Sequence, residues 1–127
     1  MADSFMVFFR PGECDLDAAE RALKGYRFSV VRSGLALVAQ QKGKPEFRIS
    51  LSSGCAVRQE AEEIGADTPY AEAMRECGSR FKVVFDDLDA VLDECNSLME
   101  AEVALQEASQ GYLFLSWNGN LSEPWRE

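Results

Sequence analysis

The chain has 127 residues, 46% of them hydrophobic and 28% charged, with 13 Lys and Arg against 22 Asp and Glu and a formal net charge of −9. That length and composition predict a single domain spanning residues 1–127, with a core large enough to need no metal or disulfide, and they argue against wholesale disorder. The acidity disfavours nucleic acid and anionic membranes as partners, no apolar run reaches the roughly 18 residues of a membrane-spanning helix, and Met1-Ala2-Asp3-Ser4 followed by the short run Phe5–Phe9 lacks signal-peptide character, so the expectation is a cytoplasmic protein.

In chain order, Phe5–Arg10 reads as a strand stopped by Pro11-Gly12. Asp15 or Asp17 is placed to cap a short helix that runs to about Lys24 and ends at Gly25. A three-strand meander follows: Tyr26–Arg32, the Ser33-Gly34 turn, Leu35–Gln41, the turn Lys42-Gly43-Lys44-Pro45, and Glu46–Leu51 with Phe47, Ile49 and Leu51 on one face. Residues 55–65 look helical, and Asp67-Thr68-Pro69 opens a second helix to about Cys77. Arg80–Phe85 is a strand with Phe81, Val83 and Phe85 inward. Asp86 is a candidate cap for the longest helix, about 87–109, which Gly111 stops. Tyr112–Trp117 is the last strand, before the turn Asn118-Gly119-Asn120 and a polar tail. The order β-α-β-β-β-α-α-β-α-β has too few helices to cover both faces of a parallel sheet. It predicts an α+β fold: a largely antiparallel sheet of about six strands with helices packed on one face.

Charge is unevenly spread. Residues 1–58 are slightly basic, whereas residues 83–125 hold nine acids and no Lys or Arg. Cys14, Cys55, Cys77 and Cys95 form no CxxC pattern, so reduced, mostly buried thiols are expected.

The chain contains no histidine. That removes Ser-His-Asp and Cys-His catalysis and any imidazole base. Arg10-Pro11-Gly12-Glu13 is no phosphate-cradling loop, and GxSxG is missing. Asp86-Asp87-x-Asp89 lacks the glycine and distal ligands of a calcium loop and is explained as a helix start. No cofactor or metal is expected, and nothing calls for an enzyme.

On the 87–109 helix, Leu88, Val91, Leu92, Cys95, Leu98 and Met99 fall on one stripe, and Glu102 projects at its centre. Asp89, Asp93, Glu100 and Glu107 share another face with no Lys or Arg at helical neighbour spacing. This ridge is the candidate docking face for a partner with a basic surface. Trp125, in the polar tail, is a second candidate contact. The alternative site is a basic sheet face bearing Arg27, Arg48 and Lys82, which would bind a small anion. A third reading is a homo-oligomer built on strand edges or Trp125. No motif identifies a family; by analogy of composition only, small acidic α+β proteins include toxin-neutralising immunity proteins and secretion chaperones, which mask a partner surface. That analogy suits a non-enzymatic protein-binding or adaptor role.

Overall fold

The computed structural model describes residues 3–12 and 14–124. Seven strands and five helices alternate as β1 (Asp3–Phe9), α1 (Leu16–Gly25), β2 (Ser29–Ser33), β3 (Ala36–Gln40), β4 (Phe47–Ser53), α2 (Cys55–Gly65), α3 (Ala71–Arg75), β5 (Ser79–Phe85), α4 (Leu88–Asp93), α5 (Cys95–Ser109), β6 (Tyr112–Leu115) and β7 (Asn120–Ser122). The strands form one sheet in the order β2-β3-β4-β5-β1-β6-β7, every neighbouring pair antiparallel. The fold is α+β. Among the described residues, no helix is long and apolar enough to cross a membrane.

β1 lies inside the sheet, between β5 and β6. Its continuous apolar run Phe5-Met6-Val7-Phe8-Phe9 is buried throughout, the pattern of a strand covered on both faces. One core sits on the odd-numbered side. There Phe5, Val7 and Phe9 join Leu37, Ala39, Phe47, Ile49, Phe81, Val83 and Phe85, with α1 and α5 packed over them through Leu16, Leu23, Leu98 and Leu105. A smaller cluster lies on the other side, where Met6 and Phe8 meet Val57 and Ala61 of α2 and Met74 of α3. Helices therefore cover both faces, which corrects the expected one-sided packing. The physical reason is that half of the β1 side chains point away from the main core and are themselves large and apolar.

Three other details differ from the sequence reading. The sheet has seven strands because Asn120–Ser122 pairs with Leu113–Leu115. Asp87, and not Asp86, caps α4 by accepting a hydrogen bond from the Ala90 N–H at 3.2 Å, while Asp15 caps α1 from Ala18 at 2.8 Å. The long helix is two: it breaks at Glu94, whose backbone (φ −107°, ψ 51°) leaves the helical region. The break falls where Asp93, Cys95, Asn96 and Ser97, all weak helix formers, are consecutive but for Glu94.

α5 ends at Gln110, which adopts the left-handed conformation (φ 54°). Gly111 is needed next for room. A Cβ there would lie 2.6 Å from Val7 Cγ1, 2.7 Å from the Phe8 carbonyl oxygen and 2.8 Å from Ser109 Oγ. The second of these is central-strand backbone and cannot yield cheaply. Gly111→Ala is expected to cost roughly 1–3 kcal/mol, read as a lower urea midpoint at unchanged slope.

Candidate functional site

The four acids of the expected ridge are split by the break at Glu94. Asp89 and Asp93 are exposed on α4; Glu100 and Glu107 lie on α5. Their neighbours come from the α1–β2 turn and the β3–β4 turn. Glu107 accepts a hydrogen bond from the Tyr26 hydroxyl at 3.1 Å, and Glu100 accepts one from Gln41 Nε2 at 3.3 Å. Partial burial, then the hydrogen bond and charge of Glu107, hold the Tyr26 hydroxyl above its ordinary pKa. Glu94 pairs with Lys44 at 2.6 Å. The charge crowding left unrelieved by α5's own sequence is thus partly met by tertiary contacts.

α5 buries Leu98, Ala101, Ala104 and Leu105, together with Ser97, Gln106 and Ser109. The expected stripe would have put Leu92 and Met99 inside. Instead Leu92 is 44% and Met99 54% exposed. The buried face is rotated by roughly 100°, one residue's turn, because small Ala101 and Ala104 let α5 approach the sheet and α1 closely. Met99 and Val103 are thereby turned outward as an apolar ridge.

A groove lies on each side of that ridge. The first, of about 470 Å³, is lined by Tyr26, Asn96, Met99, Glu100, Val103 and Glu107. The second, of about 400 Å³, shares Met99 and Val103 and adds Glu102, Gln106, Tyr70, Leu113, Leu121 and Glu123, among others. Among the described residues, neither lining contains a Lys or Arg. Gln106, fully buried, holds the second groove's floor by donating from Nε2 to the carbonyls of Gly111 (3.2 Å) and Glu123 (3.1 Å).

Glu102 belongs to this second groove. Its Oε2 is buried without a hydrogen-bond partner, and burial pushes the carboxyl up to about 7. At neutral pH such a group is divided between acid and carboxylate. It donates a hydrogen bond in one form and attracts a cation in the other. The sequence flagged Glu102 as the odd residue of a stripe; its role in a groove wall becomes visible only with the rotated helix. Comparison with family models, with characterised proteins and with solved structures finds no match.

The basic sheet face is only partly assembled. Arg48 (opposite Val84) and Lys82 (opposite Ser50) are diagonal neighbours on one face of β4 and β5. Arg48 is committed to Asp86, at 2.7 Å, and that pairing holds the Asp86 carboxyl below its ordinary pKa. Arg27 is elsewhere. It sits in the turn before β2 with φ 70°, near Gln41, Lys42 and Lys44. A strand starting at Tyr26 would have aligned it with the other two, but β2 begins only at Ser29. Trp125 lies outside the described residues. Trp117 packs against Phe85, ring centroids 5.7 Å apart. Of the described thiols, Cys55 is exposed, which departs from the expected burial; the Cys14 and Cys77 thiols are both pushed up to about 11 by burial.

Proposed function

We propose that the chain is a non-enzymatic protein-binding module of the cytoplasm that docks a basic partner segment along α5. The observation that carries this reading is the Met99–Val103 ridge, flanked on both sides by grooves that, among the described residues, hold carboxylates and no cation. A partner segment with one apolar anchor between Lys or Arg residues fits that pattern. The anchor lies against Met99 and Val103, and the cations reach Glu100 and Glu107 on one side and Glu102 and Glu123 on the other. Exposed apolar surface supplies the affinity, while the acidic rim steers the encounter and sets register. Asp89 and Asp93 extend the negative field without lining either groove. Masking a partner surface in this way is the mode of immunity proteins, secretion chaperones and adaptors.

The test is capture from native lysate on the immobilised chain and on its Glu100→Lys/Glu107→Lys variant, at low and high salt. The wild-type chain is expected to retain a basic protein in a salt-sensitive manner, and the double reversal to weaken retention roughly 10- to 100-fold. Equal retention by both forms would place the interface elsewhere.

A further inference from the structure

At the end of the sheet where β1, β4 and β5 meet the helical pair, three arginines from distant parts of the sequence converge. Arg10 follows β1, Arg58 lies in the first turns of α2, and Arg75 ends α3. With Pro11 and Glu76 they line a shallow depression of about 360 Å³. The chain carries a net charge of −9, yet among the described residues Glu76 is the one acid that lines this depression. Glu76 pairs with Arg10 at 2.8 Å. Among the described residues, neither Arg58 nor Arg75 is in a salt bridge, and α2 has no acidic residue in its first turn. All three arginines are solvent-exposed, and set against Glu76 they give the described lining of the depression a net charge of about +2.

The depression is shaped by backbone as well as charge. Gly78 is buried between Arg58 and Pro11. A Cβ on it would lie 2.9 Å from Pro11 Cγ and 3.6 Å from Arg58 Nη2. The Gly78 carbonyl also accepts a hydrogen bond from the Gly54 N–H at 3.0 Å, which ties the start of α2 to the start of β5. Glycine at this position lets the Arg58 guanidinium and the Pro11 ring close over the chain.

We propose that Arg10, Arg58 and Arg75 form a binding site for a phosphate monoester dianion. The net positive charge matches a dianion, the guanidinium fork matches tetrahedral oxyanion geometry, and the depression has the dimensions of a phosphorylated small molecule rather than of a macromolecular interface. The site is distinct from the basic sheet face of Arg48 and Lys82 and does not depend on the α5 grooves.

The test is a titration of the ¹⁵N-labelled full chain with sodium phosphate, against sodium chloride at matched ionic strength, followed through the Arg side-chain Nε–H signals and the Gly78 amide. Parallel titrations use a phosphoserine peptide and its unphosphorylated form. Phosphate is expected to give saturable shifts confined to these residues, with Arg58→Gln/Arg75→Gln weakening binding roughly tenfold or more while leaving the Arg10–Glu76 pair in place. Arg58→Lys/Arg75→Lys keeps the charge, loses the fork and is expected to bind at an intermediate strength. Equal affinity for phosphate and phosphopeptide identifies a free small molecule as the source, and a much tighter phosphopeptide identifies a phosphorylated protein. Shifts no larger than those in chloride, or a phosphate response unaltered in the Gln variant, would overturn the proposal.

Discussion

Phe47→Ala is expected to remove about 3–5 kcal/mol of stability, a large part of the roughly 5–15 kcal/mol available to a domain of this size. Phe47 is fully buried on β4. Its ring meets Phe5, Phe28 and Phe85 edge-on, with centroids 6.5, 6.2 and 6.0 Å away. Truncation therefore loses the transfer of a whole aromatic side chain and leaves a cavity walled by three other rings, which stiff aromatic neighbours collapse into poorly. Leu35, at the tip of the β2–β3 hairpin and 85% exposed, is the internal control. Leu35→Ala should change stability by about 0.5 kcal/mol or less. Urea denaturation decides the matter: a Phe47→Ala midpoint no lower than that of Leu35→Ala would mean that the core is not organised around this aromatic cluster.

Glu102→Gln is expected to stabilise the protein in a pH-dependent way. In the unfolded chain the carboxyl titrates near its ordinary value of 4.5; in the folded chain it titrates at about 7. Below the lower value it is protonated in both states and contributes nothing to the pH dependence. As pH rises from there to about 7, the unfolded chain releases the proton while the native state still holds it, so native stability falls. Above that window the penalty is constant. Glutamine does not titrate, so the variant should match the wild type at pH 4 and exceed it at pH 8 by about 3 kcal/mol. Among the described residues, Tyr70 and Glu123 are the other titratable groups lining that groove. Denaturation at the two pH values provides the check, and an equal difference between the proteins at both would show that Glu102 ionises normally.

How much of this was legible in the sequence varies by element. The β2–β4 meander was readable because alternating side chains and Ser33-Gly34 and Lys42–Pro45 turns pair neighbours in the chain. The pairing of β1 with both β5 and β6 was not, since it joins segments many residues apart whose only shared signal is apolarity. The second helical layer did leave a trace. Phe5–Phe9 has no polar position, and a strand with two apolar faces requires cover on both. For residues 95–109 the stripe was misplaced because apolar residues occur on nearly every side of that helix. Glu100, Glu102 and Glu107 all lie roughly 100–120° away from Ala101, so centring the buried face away from the charges selects the observed one. The grooves beside Met99 depend on that rotation and on Tyr26, Tyr70 and Leu121, which no local pattern connects to α5. The arginine depression was equally hidden, because Arg10, Arg58 and Arg75 become neighbours only through the sheet and the α2–α3 connection.

The most direct test of docking along α5 is photo-crosslinking in native lysate from a benzophenone side chain at position 99, beside the same probe at exposed Val31 on edge strand β2. Docking along the Met99–Val103 ridge predicts a cross-link from position 99 to a segment with Lys or Arg on both sides of the attachment point, lost when Glu100 and Glu107 are reversed. Cross-links formed only from position 31, or from position 99 to an acidic segment, would contradict it.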